Sequence, residues 1–245
     1  MNNYTEYLYE NRFKGYKFEF EGRPAEVAFP EKMTDNMAWT LKTEYSYAFP
    51  AVELKLLENG VGRAFIKNAH RWGGAEDLAL KARFADFLHS EFGFSKKCIP
   101  VGYSCGGIFA VKFASYYPEY VSCIHIDAPV INFLSCPVHL GHDNFNSNPE
   151  EIMNALGLTL AQLGAYRDAP IDHLGNLIKN RIPCSLVYGD ADPVVLWEEN
   201  AALVIEAYKD SGVPFRSESV PGRVHHPHEP IDFDGTVGFI LANCK

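Results

Sequence analysis

Apolar positions along this chain change period repeatedly, and each change marks an element. Residues 16–21 and 23–29, split by Glu21-Gly22, predict an opening antiparallel pair. Residues 30–47 read as a long loop. Residues 51–58 predict a helix stopped by Asn59-Gly60, and residues 62–67 a strand. Residues 76–92 predict a long helix: Leu78, Phe84, Phe87 and Leu88 recur on a helical period, and Gly93 follows as its cap. A strand over 98–101, a helix over 108–117 and a strand over 121–126 come next. Residues 182–188 predict a buried strand, 196–209 a helix and 213–220 another strand. This alternation argues for an α/β chain with a mostly parallel sheet and helices on both faces. Residues 131–180 break it, with a polar stretch at 141–149 and short helical pieces at about 150–156 and 159–166. No repeat, low-complexity tract or linker interrupts the chain, so residues 1–245 are expected to form one domain.

The chemistry is concentrated where strands end. Gly102-Tyr103-Ser104-Cys105-Gly106 is a Gly-x-Ser-x-Gly motif between a strand-like and a helix-like run. That is the setting of a nucleophile elbow, a tight strand-to-helix turn that pushes a serine hydroxyl out at the top of a sheet. Glycine is needed on both sides because bulk there would strike the neighbouring strand and helix. Further on, Gly189-Asp190-Ala191-Asp192-Pro193 closes a predicted strand. Asp192 is the candidate acid, and Asp190 is read as a turn former. Val220-Pro221-Gly222-Arg223-Val224-His225-His226-Pro227-His228 follows the last predicted strand. His225 is the candidate base, with His226 as the alternative. Asp127 also follows a strand and is a second candidate for the acid. His125, between Ile124 and Ile126, reads as a core histidine.

These residues resemble the α/β-hydrolase superfamily, whose triad runs in the chain order Ser, Asp, His. Within it, the Gly-Asp-x-Asp-Pro-Val turn and the Gly-x-x-His-His-Pro-His loop are similar to bacterial esterases associated with plant-polysaccharide breakdown. So are residues 121–130, 133–137 and 169–174. Val224 stands where a small glycine is usual in that group, and Lys42 where arginine is frequent. The resemblance implies the α/β-hydrolase fold, with residues 131–180 as a small lid. It implies a serine carboxylic-ester hydrolase acting through an acyl-enzyme on acetyl or feruloyl esters of plant-cell-wall sugars. Ser104 would be the nucleophile, His225 the base and Asp192 its orienting acid. The oxyanion donors would be the backbone of Cys105 and a second group in the 30–47 loop, near Trp39. Trp72, Phe133 and His226 are candidate pocket residues. The same fold carries peptidases, thioesterases and non-catalytic binding proteins, so these stand as alternatives.

Composition narrows the partners. Hydrophobic residues make up 47% and charged residues 22%, ordinary for a globular chain. A net charge of -9 and the lack of a basic stripe argue against nucleic acid as a partner. No apolar run is long enough to span a membrane, and residues 1–14 lack a signal-like apolar region, so a cytoplasmic setting is expected. Six scattered cysteines form neither a disulfide framework nor a zinc spacing. Three histidines in residues 225–228 raise the question of a metal. Neighbouring histidines rarely aim at one ion, so no metal is expected. No cofactor is expected either: Gly60-Val61-Gly62 follows a helix and precedes a strand, the reverse of the dinucleotide motif. The partner expected is a small-molecule or oligosaccharide ester substrate.

Overall fold

A computed structural model describes residues 4–143 and 148–245. Part of the polar stretch read at 141–149 therefore lies outside the described residues. In chain order the strands and helices are β1 (Thr5–Tyr9), β2 (Phe13–Phe20), β3 (Arg23–Ala28), β4 (Trp39–Lys42), α1 (Ala51–Glu58), β5 (Gly62–Ile66), α2 (Ala75–Phe92), β6 (Ile99–Tyr103), α3 (Gly106–Tyr116) and β7 (Ile124–Asp127). Then come α4 (Pro149–Leu156), α5 (Leu160–Gly164), α6 (Leu174–Lys179), β8 (Cys184–Gly189), α7 (Ala201–Tyr208), β9 (Phe215–Val220) and α8 (Phe233–Asn243). The strands build one sheet in the order β1-β2-β3-β5-β4-β6-β7-β8-β9. β1 to β3 and the β3–β5 pair are antiparallel, and the remaining pairs are parallel. The β2–β3 hairpin turns on Glu21 (φ 47°) and Gly22 (φ 75°), a turn whose twist suits a two-residue hairpin.

Strand alternation divides the buried side chains between two layers. Leu41, Ile66, Ile126 and Leu186 face α2, α3, α6 and α7, whose Phe84, Phe113, Leu177 and Val204 complete the larger core. Ile99, Val101 and Tyr103 face α1 and α8, through Val52, Leu56, Val237 and Ile240. The chain leaves β4 to build β5 on one side and β6 on the other. The loops after β4 and β6 therefore diverge and open a crevice at the carboxyl ends of the strands, where open parallel sheets bind ligands.

The 30–47 stretch is not a single loop. β4 occupies its middle, and β1 adds an edge strand that the sequence pattern did not single out. The helix expected over 196–209 is broken at Asn200. The buried Asn200 amide instead accepts the N–H groups of Ile131 (2.9 Å) and Asn132 (3.0 Å) and donates to Ser135 Oγ (3.0 Å). It thereby anchors the start of the 131–180 segment. The last helix of that segment, α6, buries Leu174 and Leu177 in the main core. Among the described residues, no helix is long and apolar enough to cross a membrane.

The α1 side of the sheet carries buried charge. Lys42 and Arg63, on neighbouring strands, both reach Glu53 of α1, at 2.9 and 3.1 Å. Lys42 also donates to Ala48 O (3.1 Å), and Arg63 to Ser46 O (2.7 Å) and to Glu26 (2.7 Å). Burial drives the Lys42 pKa down to about 8 against the pull of Glu53. Burial opposes the Glu53 charge too, but the two cations outweigh it and hold its pKa below the ordinary value. Lys42 therefore serves the scaffold: it is fully buried and lies 3.8 Å over the Tyr103 ring. The network fixes residues 46–48, which lead into the crevice. Removing one member of a buried ion group leaves the others unpaired, at about 3–5 kcal/mol. Glu53→Ala is expected to destabilise the protein by about that amount, read as a lowered urea midpoint.

Candidate active site

Ser104 sits on the turn between β6 and α3 with φ at 52°, a conformation that side chains rarely adopt. Strain of this kind, about 1–3 kcal/mol, persists only when the surroundings fix it. Here Ser104 N donates to Asp127 O (3.0 Å), and its carbonyl accepts from Gly107 N (2.9 Å) and Val130 N (3.0 Å). Glycine makes the turn sterically possible. A Cβ on Gly102 would lie 2.4 Å from Gly106 O, and one on Gly107 would lie 2.4 Å from Pro129 Cβ. Thr43, just past β4, spans the same junction, its hydroxyl 3.0 Å from Val101 O and 2.8 Å from Gly106 O.

Three strand ends bring the partners in. Ser104 Oγ lies 3.0 Å from His225 Nε2, and His225 Nδ1 lies 2.7 Å from Asp192 Oδ2. Asp192 Oδ1 accepts the N–H groups of Val194 (2.8 Å) and Val195 (3.0 Å), so both of its oxygens are engaged. Burial works against the Asp192 charge. The His225 hydrogen bond and charge, with those two N–H groups, outweigh it and lower its pKa below the ordinary value. Asp190 accepts from Gly222 N (2.6 Å), which ties the Asp192 turn to the His225 loop. Arg223 makes a two-pronged pair with Asp127 at the end of β7, and His228 Nδ1 lies 3.4 Å from the same carboxylate. Asp127 therefore faces Arg223 and His228, and Asp192 is the acid that faces His225. His125 is fully buried, its Nδ1 3.1 Å from Ser185 Oγ, and burial lowers its pKa to about 4.

A pocket of about 470 Å³ opens over Ser104. Tyr45, Phe49, Trp72, Cys136, His139 and His226 are among its walls. Arg71, also in the wall, forms a two-pronged ion pair with Glu151 of α4, and Trp72 Nε1 donates to the same carboxylate (3.2 Å). Glu151 thus ties the inserted segment to two residues of the pocket wall. Burial pushes the Cys105 thiol up to about 11, so it stays protonated at neutral pH.

Two expected positions are corrected. Trp39 is not beside Ser104. It begins β4 at the opposite end of the sheet, fully buried, with its indole N–H on Ser95 O (2.8 Å) and its ring stacked on Phe94. The strand inside the 30–47 stretch moves the relevant backbone to Glu44 and Tyr45. Glu44 N would lie 3.7 Å from a Cβ on Gly106. Among the described residues, the N–H groups of Cys105 and Glu44 have no protein acceptor. Phe133 does not line the pocket; it packs edge-to-face behind Trp72, ring centroids 6.3 Å apart. Trp72 and His226 do line it. Phe49, Arg71 and Glu151 were not singled out from sequence, because only the fold brings Phe49 and Arg71 to the pocket and Glu151 to Arg71. The loop histidines also converge: one ring nitrogen from each of His225, His226 and His228 lies within 4.8 Å of the others.

No protein-family model matches the chain, and no curated protein matches it. Solved structures do match. Est1E from Butyrivibrio proteoclasticus superposes with a TM-score of 0.63 at 16% identity, over 94% of this chain and 98% of that one. A truncated carbohydrate esterase from gut microbiota gives 0.67 at 15%, over 90% of each chain. A puromycin hydrolase gives 0.69 at 18%, over 98% of this chain. The fold is that of the α/β-hydrolases. The chain spans only 38% of the puromycin hydrolase.

The elbow contacts set a direct test. Gly102→Ala is expected to prevent or severely destabilise folding, because the new methyl meets rigid backbone. Gly238→Ala, in α8 with nothing within 4 Å, is expected to leave Tm unchanged or raise it. Thermal melts of the two variants read the contrast.

Proposed function

We propose that this chain is a serine carboxylic-ester hydrolase. The observation that carries the reading is the hydrogen-bonded line Asp192–His225–Ser104 at the floor of a pocket. In this reading His225 takes the Ser104 proton as Oγ attacks the ester carbonyl. It then returns the proton to the departing alcohol, leaving an acyl-enzyme that water cleaves by the same steps. Asp192 holds the Nδ1–H tautomer and stabilises the imidazolium. The N–H groups of Cys105 and Glu44 receive the oxyanion. Removing one such donor typically costs about 3 kcal/mol in the transition state.

For the substrate, we propose acetyl or feruloyl esters of plant-cell-wall sugars. The aromatic wall of Tyr45, Phe49 and Trp72 suits an acyl group with a flat face, and Est1E and the gut-microbiota carbohydrate esterase share the fold along nearly the whole chain. Residues 131–180 would act as a lid, with the Arg71–Glu151 pair as one tie to the pocket wall.

Hydrolysis of p-nitrophenyl acetate tests the chemistry. Ser104→Ala is expected to lower kcat/KM by at least about a thousandfold, and Asp192→Asn by up to about ten-thousandfold. Asp190→Asn, which loosens only the turn, is expected to cost less than about tenfold. Equal losses for the two aspartates would overturn the assignment of the acid. Faster turnover of methyl ferulate and acetylated xylo-oligosaccharide than of an aminoacyl anilide is expected; the reverse order would point to a peptidase.

A further inference from the structure

His226 and His228 have no part in the proton transfers proposed for Ser104, yet their rings stand around the same point as His225. The ring centroids of His225, His226 and His228 are 4.6, 5.0 and 5.1 Å apart. Three imidazoles on one tetrahedral ion, at about 2.0 Å per bond, have centroids about 5 Å apart. Their ligand nitrogens would then be about 3.3 Å apart. Here they lie within 4.8 Å of one another, and His226, the exposed ring of the three, is the one placed to close the difference.

The surroundings are those of metal-binding histidines. Such a histidine commonly gives its second N–H to a carboxylate, which fixes the ring and leaves the other nitrogen for the ion. His225 does this through Nδ1 to buried Asp192 (2.7 Å), and the Nδ1 of His228 lies 3.4 Å from buried Asp127. His226 is stacked on Phe49, centroids 5.1 Å apart. All three rings line the pocket over Ser104, which leaves a coordination position facing the cavity. An all-imidazole set favours zinc, copper or nickel over magnesium or calcium.

We propose that His225, His226 and His228 form a site for a zinc-like divalent transition-metal ion, and that filling it switches off the chemistry at Ser104. His225 Nε2 lies 3.0 Å from Ser104 Oγ. Once its lone pair is on the ion, it cannot accept the serine proton. Each imidazole binds through the lone pair of its neutral form, giving up any proton held on that nitrogen, and coordination replaces the Ser104–His225 hydrogen bond. The inhibitory half of the proposal rests on the serine-hydrolase reading, and the binding half does not.

The test separates the two. Zinc chloride titrated calorimetrically into Ser104→Ala protein of residues 1–245 is expected to bind at one equivalent with micromolar or tighter Kd, and magnesium is expected not to bind. Adding His226→Gln, an exposed change, is expected to weaken zinc at least tenfold with the circular dichroism unchanged; His228→Gln, at a buried position, is expected to weaken zinc likewise. Absence of zinc binding, or binding unaffected by His226→Gln, would overturn the site. In wild type, zinc is expected to inhibit p-nitrophenyl acetate hydrolysis reversibly, with chelator restoring the rate. His226→Gln is expected to raise the half-inhibiting concentration at least tenfold. Zinc bound at these histidines without inhibition would overturn the switch. A wild type with no hydrolysis to inhibit would count against the serine-hydrolase reading, and the calorimetry alone would then decide the site.

Discussion

The close approach of α3 to β6 is the constraint on which the site depends. The turn at Ser104 exists because Gly102 lets two backbones meet where any Cβ would stand 2.4 Å from the Gly106 carbonyl oxygen, and Gly107 likewise lets α3 approach Pro129. The left-handed serine is held by backbone hydrogen bonds from three directions, including one to the end of β7. The hydroxyl is therefore aimed by the sheet itself. The same packing brings the β4 loop alongside, through the Thr43 hydroxyl between Val101 O and Gly106 O. Sites carried on rigid elements in this way hold their geometry more closely than sites on free loops.

Buried charge then fixes what the backbone leaves loose. On one side of the elbow, Glu53 gathers Lys42 and Arg63, whose remaining donors clamp residues 46–48 beside the pocket. On the other side, Asp127 gathers Arg223 and His228 and so anchors the loop that presents His225. The two groups work alike: one buried carboxylate takes partners distant from it in sequence, two strands in one case and one loop in the other. Interactions of this kind add little net stability over apolar packing, and their breakage is costly. Here their structural effect is to fix the position of two loops. Glu151 does the same at lower burial, joining Arg71 and Trp72 to the inserted segment.

How much was legible from sequence follows from where each signal lay. The elbow, the Asp192 turn and the His225 loop could be read because each is a local pattern at the end of a strand. The helix over residues 76–92 was equally clear, and α2 spans Ala75–Phe92. β4 was hidden because it is short, buried along its whole length and ends in Lys42, whose burial makes sense only with Glu53 and Arg63 in place. Missing it put the second oxyanion group near Trp39, at the wrong end of the strand. β1 shows little alternation because most of its residues are solvent-facing edge positions. The break at Asn200 depends on N–H groups nearly seventy residues away, at Ile131 and Asn132. The convergence of the loop histidines is likewise a tertiary property, set by Asp192 on one ring and Asp127 near another.

The central claim is that the fold activates Ser104 and no other nucleophile. Treatment with a fluorophosphonate probe, followed by intact mass and peptide mapping, tests it most directly. The expected result is one adduct per chain, on the peptide carrying Ser104, and no adduct on the Ser104→Ala protein. Labelling at another residue, labelling that survives Ser104→Ala, or no labelling of the folded wild type would contradict it.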